Sequence, residues 1–260
     1  MMKSKPLCLS LLITLVSLFT VHSQSFAQEE AIRLAVAANL LSPMQQLKEK
    51  YESQYQNKLI LIPGSSGKLT AQIMNGAPYD IFLSADMMYP NKLLKEGYGK
   101  GKVEIFTKGK LVFWSKKEID KPLKDWLNQS HVKSVAIARP ELAPYGRRAR
   151  GWLQENKLWG KIKGQIIYGE SIGQVNQYIR SGAVDAAFTA VSARHAPELR
   201  NRGHWMEIEN STSATECLNH GLLVLQQAKA SQAGIQHFLL FLRSEDAQQL
   251  LQNFGYEKVN

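Results

Sequence analysis

A Gly-Ser-Ser-Gly turn at Gly64, Ser65, Ser66 and Gly67 precedes Lys68 to Met74, a segment whose composition predicts a short helix. The glycines let consecutive backbone N–H groups converge, the serines add hydroxyls, and the positive end of the helix dipole points at the turn. Such a nest suits an anion. A plainer use of the same residues is Ser66 as the helix N-cap, so one loop alone does not carry the chemistry. Three further loops have the same character: Ala37-Ala38-Asn39, Ala143-Pro144-Tyr145-Gly146 and Glu170-Ser171-Ile172-Gly173. Each sets small or neutral polar residues just before a predicted helix. Several neutral donors can hold a dianion without an arginine clamp, because a hydrogen bond to an ionised acceptor contributes roughly 1.5–3 kcal/mol. Asp80 would repel an anion and is expected to brace its own loop.

A second chemistry competes for one of these loops. Gly169-Glu170-Ser171-Ile172-Gly173 fits the GxSxG pattern of a nucleophile elbow after a strand and before a helix, and Asp185 and His195, His204 or His220 follow in hydrolase order. No HGGG-like oxyanion segment precedes it, and the other three loops would have no role. Metal chemistry has less support, since the histidines lack ligand spacing and one cysteine cannot build a thiolate site.

The elements that must position these loops alternate strand and helix. Ile32 to Ala38, Lys58 to Ile62, Asp80 to Ser84, Leu111 to Trp114, Val135 to Ala138, Gln165 to Tyr168, Ala186 to Thr189 and Gly221 to Leu225 read as strands. Helices are expected from a Ser42-Pro43 start through Tyr51, from Lys68 to Met74, from Arg147 to about Asn156, from Gly173 to Ser181 before Gly182, and through Ala233 to Asn253. Alternation of this kind means open, mostly parallel α/β sheets, which bind ligands beyond the carboxyl ends of their strands.

Residues 1–27 have the form of a cleavable secretory leader: Lys3 and Lys5, an apolar run from Leu7 to Val21, and Ser25-Phe26-Ala27 at the expected cleavage point. Cys8 lies too early in the run for lipidation, and removal of the leader leaves Cys217 as the only cysteine, so no internal disulfide is expected. The formal net charge of +10 falls to +8 without the leader, 30 basic against 22 acidic residues. The basic residues are dispersed, with Arg147, Arg148 and Arg150 the densest group, which predicts a solvated basic surface and no nucleic-acid partner.

The strings AVAANLL, GSSGKL, GAPYDIFLSAD, RPELAPYGRRA, GESIGQV and GAVDAAF, in this order, resemble the periplasmic molybdate-binding proteins of ABC transporters over nearly all of the chain after the leader. The resemblance implies a type II periplasmic-binding-protein fold, an α/β fold of two lobes joined by two crossover hinge strands. It places residues 28–110 and 222–260 in one lobe and 111–221 in the other. It implies oxyanion contacts from Asn39, Ser66, Tyr145 and the backbone N–H of Ile172, with Ala38, Ser65 and Ser171 beside them. Some members carry a tyrosine where this chain has Ala190, and Tyr145 would supply the phenol from another loop. It further implies molybdate or tungstate as the ligand, no cofactor, no catalysis, a monomer in the periplasm, and an inner-membrane ABC permease as partner.

Overall fold

The computed structural model describes residues 31–55, 57–208 and 218–259. The expected leader and both cysteines lie outside these residues.

Among the described residues, ten strands form two five-stranded sheets. In the first, β1 (Ile32–Ala37) lies between β2 (Leu59–Gly64) and β3 (Ile81–Leu83), all parallel, while β10 (Leu218–Leu225) and β4 (Gly99–Gly109) complete the order β2-β1-β3-β10-β4 by antiparallel pairing. The second repeats the scheme. The parallel strands β7 (Ile166–Gly169), β6 (Val135–Ala138) and β8 (Ala186–Ala190) are extended by the antiparallel β5 (Leu111–Ser115) and β9 (His204–Glu207). Each sheet is therefore half parallel. The parallel trios are the part that strand–helix alternation announces; the antiparallel pairs come from the strands that carry the chain between sheets. β4 was not legible as a strand because GKGKVEIFTKG is glycine-rich and polar. The chain passes from β4 to β5 at Lys110. It re-enters the first sheet at Leu218, paired with Gly109, four residues ahead of the boundary at 222 that the sequence suggests.

Burial explains the strand compositions. Along β1, Leu34 and Val36 join the large core that also contains Met44, Leu47 and Tyr51 of α1 (Leu41–Gln54), whereas Ala35 faces Leu69 and Ile73 of α2 (Ser66–Met74) and Leu93 of α3 (Met88–Lys95). A strand covered on both faces must be apolar throughout, as IRLAVA nearly is. The C-terminal segment forms two helices, α9 (Gln232–Arg243) and α10 (Glu245–Asn253), because Ser244 ends one and caps the next through Ala247 N–H. Phe238 and Phe241 of α9 meet the Tyr51 ring edge-on at 5.7 and 5.2 Å. Among the described residues no helix is long and apolar enough to cross a membrane.

Candidate functional site

Four helix starts converge where the parallel strands end. After β1, Ala38–Leu40 makes a 3-10 turn that leads into α1, so Asn39 sits in the first turn, and Ser42 lies inside the helix without acting as its cap. After β2, Ser65 caps α2 by accepting from Lys68 N–H at 3.4 Å. Ser66, which the capping reading had as the N-cap, is the first helical residue. Its Oγ accepts from Ala85 N–H at 3.1 Å, a bond that leaves the hydroxyl hydrogen uncommitted. After β6, helix α5 (Pro144–Glu155) starts three residues before the Arg147 expected from sequence, with proline at its first position. Tyr145 and Gly146 therefore belong to its first turn, which presses against the strand so closely that a Cβ on Gly146 would lie 1.9 Å from the Ala138 carbonyl oxygen. After β7, Ser171 caps α7 (Ile172–Ser181) by accepting from Gln174 N–H at 3.4 Å, and Ile172 opens the helix.

These ends enclose a cavity of about 10 Å³ lined by Ala37, Ala38, Asn39, Gly64, Ser65, Ser66, Ala85, Ala143, Pro144, Tyr145 and Ile172. All seven residues singled out from sequence lie in or beside it. Asn39 and Ile172 are 4 % exposed and Ser66 and Tyr145 1 %, so the gap is closed from solvent by both halves of the molecule. No lining side chain carries a charge. The first N–H groups of a helix have no intrahelical partner, and here four helix starts border one small space. A larger groove of about 440 Å³, lined among others by Lys100, Lys102, Ile235 and Leu239, lies between β4, β10 and α9 and includes a single helix start, Gln232 of α9.

Contacts across the mouth hold the halves together. Gly67 N–H donates to the Leu142 carbonyl at 2.9 Å, and Tyr89 Oη to the Glu141 carbonyl at 3.0 Å. Arg147 pairs with Asp86 and lies over the Tyr89 ring, 5.2 Å from its centroid. Burial pushes the Asp86 carboxyl up, while Tyr89 N–H and the Arg147 guanidinium pull it down; burial wins. Lys68 and Glu170 form a weaker, exposed pair at 3.4 Å.

Behind the cavity stands a polar cluster that no local sequence signal marked. Asn39 Nδ2 lies 2.8 Å from His220 Nε2 and 3.0 Å from Tyr256 Oη, and the Asn39 carbonyl accepts from Tyr256 Oη at 2.8 Å and Ser192 Oγ at 2.7 Å. Burial drives the His220 ring down to about 4 and keeps it neutral, and burial raises the Tyr256 phenol.

The hydrolase arrangement is not assembled. Ser171 is in relaxed extended geometry, φ −150° and ψ 169°, and serves as a cap. Asp185 accepts from the N–H groups of Lys133 and Ser134, at 2.8 and 3.0 Å. His220 is bonded to Asn39. Asp80 braces its loop as expected, accepting from the N–H groups of Arg33, Lys229 and Ala230 at 2.7, 2.7 and 3.0 Å.

Two α/β sheets joined by crossing strands, with a closed cleft of helix ends between them, define a two-lobed solute-binding protein. The chain belongs to the bacterial extracellular solute-binding protein family, whose model it matches over residues 32–257. It is similar to the molybdate-binding protein ModA of Azotobacter vinelandii, 30% identical over 233 residues that cover 88% of this chain and 91% of the relative. The ModA of Rhodobacter capsulatus is 29% identical over 223 residues, 85% of this chain and 86% of the relative. Among solved structures, the periplasmic molybdate-binding protein of Azotobacter vinelandii superposes with a TM-score of 0.81 at 27% identity, covering 88% of this chain and all of that one.

Proposed function

We propose that this protein captures molybdate, and tungstate with it, in the periplasm and hands it to an inner-membrane ABC importer. The observation that carries the reading is the cavity itself: small, closed, free of charged side chains and lined by four helix starts. Fixed neutral dipoles match a fully deprotonated oxyanion, whereas a carboxylate in the cleft would favour a ligand that still carries a proton. In this reading the Ser66 hydroxyl donates from the first lobe together with Asn39, and Tyr145 and the Ile172 N–H meet the anion from the second. Ala38, Ser65 and Ser171 stand behind them as backbone and caps. The protein acts as a monomeric carrier and performs no chemical step. Its leader, residues 1–27, is removed on export, so mass spectrometry of the exported protein should find Gln28 at the N-terminus.

A thermal-shift panel of molybdate, tungstate, sulfate, phosphate and amino acids on the mature protein tests the ligand. Binding to the folded state alone adds RT ln(1 + [L]/Kd), about 4 kcal/mol at a thousandfold excess over Kd. Molybdate and tungstate should raise the melting temperature clearly. No response to either, together with a shift from an amino acid, would replace this reading with another solute.

A further inference from the structure

His220 is fully buried on β10, at the point where the chain re-enters the first sheet, and its two ring nitrogens have different partners. Nδ1 lies 2.8 Å from the Leu218 carbonyl oxygen, which can only accept, so Nδ1 carries the proton. In the neutral ring Nε2 is then an acceptor, and the group 2.8 Å from it must be the amide nitrogen of Asn39. The tautomer thus fixes the orientation of the Asn39 amide, because the flipped amide would set Oδ1 against a lone pair. The second amide hydrogen goes to Tyr256 Oη, whose own hydrogen returns to the Asn39 carbonyl. Tyr256 is held in turn by the antiparallel bridge of Glu257 with Lys108 on β4. The His220 ring also lies 6.0 Å from the ring of Tyr145, and a Cβ on Gly109 would meet Tyr145 Oη at 2.1 Å and His220 Cε1 at 2.6 Å. Only glycine fits where β4 ends and these rings gather.

We propose that His220, together with Tyr256, is a positioning residue of the anion site: the two take both amide hydrogens of Asn39, so that Asn39 offers the cleft its backbone N–H and not its side chain. The cluster also ties that N–H to both crossing strands, which makes the donor geometry of the cleft depend on the hinge. This inference rests on the oxyanion reading of the cavity.

The test compares His220→Phe, which keeps a ring and loses the acceptor, with His220→Gln, whose Oε1 can replace Nε2. Molybdate binding is measured by calorimetry, and folding by the melting temperature without ligand. His220→Phe should bind molybdate at least tenfold more weakly, with His220→Gln recovering most of the loss. Equal affinity in His220→Phe and wild type, or equal loss in both variants, overturns the proposal. Nitrogen-15 spectra of the wild-type ring decide independently of any variant's folding. They should show the neutral Nδ1–H tautomer with and without molybdate, and an Nε2–H ring overturns the proposal. If the wild type binds no oxyanion at all, it is the ligand reading that fails, and the ring spectra still report on the Asn39 orientation.

Discussion

Ser66 and Asp80 are both buried polar residues in the same stretch of chain, and their bonds give them opposite tasks. Ser66 Oγ accepts from one backbone amide and retains a hydrogen for the cavity. Ser66→Ala should therefore weaken molybdate binding by very roughly 10-fold to 100-fold in calorimetry, the equivalent of 1.5–3 kcal/mol, and lower the melting temperature of the ligand-free protein modestly, because the buried Ala85 N–H loses its one acceptor. Asp80 uses its carboxylate on three backbone N–H groups of its own lobe. Asp80→Ala should destabilise the protein by more than about 3 kcal/mol in denaturant unfolding, since several buried donors lose their acceptor, while the folded fraction keeps its affinity. The sequence distinguished these tasks by charge alone: a carboxylate repels an anion and a hydroxyl does not. It could not show that Ser65, not Ser66, caps α2, because adjacent serines in a glycine turn are locally equivalent until Ala85 approaches one of them.

At the scale of elements, the helix starts were legible as classes of loop and misplaced in detail. Pro144 begins α5 earlier than expected, and that shift brings Tyr145 into the first turn over β6. Gly146→Ala would force a methyl group into the Ala138 carbonyl, and expression of that variant should yield little folded protein. The clamp across the mouth joins α3 to α5. Arg147 serves both the Asp86 charge and the Tyr89 ring, and both charged partners keep some solvent exposure. Arg147→Ala should speed molybdate release about fivefold, near 1 kcal/mol, with little change in association, and stopped-flow measurement separates the two rates. Helix α3 itself was missed because MYPNKLLK carries a proline within a short apolar stretch, and only its cover of the first sheet makes it helical.

For the whole molecule, the cleft is assembled from both lobes, so its donors meet an anion together only when the lobes are shut. Small-angle scattering should report a smaller radius of gyration with molybdate than without it; an unchanged curve at saturation would mean a preformed site. Sulfate has the same charge and shape with shorter bonds, and donors fixed on four helix ends cannot all follow a smaller anion. Competition calorimetry should find molybdate preferred by orders of magnitude. Acid should act on His220, whose neighbours among the described residues include the uncharged side chains of Asn39, Tyr145, Tyr256 and Phe106. Its ring stays neutral down to about pH 4 in the fold and titrates near 6.5 when unfolded. Between those values the unfolded chain binds the extra proton, so stability is full above the unfolded pKa and falls as the pH drops toward 4, by about 3 kcal/mol in all. His220→Gln should flatten that slope in unfolding curves measured without ligand.

The alternation of strand and helix in the parallel trios, the Gly/Ser starts of the helices and the bracing role of Asp80 follow from the sequence itself, because apolar periodicity, capping and turn chemistry act over a few residues. The parallel trios and the four loops could be read for that reason. The company that Asn39 keeps could not. His220 and Tyr256 are 181 and 217 residues away from it along the chain, and they reach it only because β10 returns beside β4 and the C-terminal segment bridges the same strand. Contacts over such separations are set by strand order and by the crossing between sheets. No local pattern encodes them, so the tertiary structure alone decided which hydrogens of Asn39 are spent inside the protein and which donor faces the cleft.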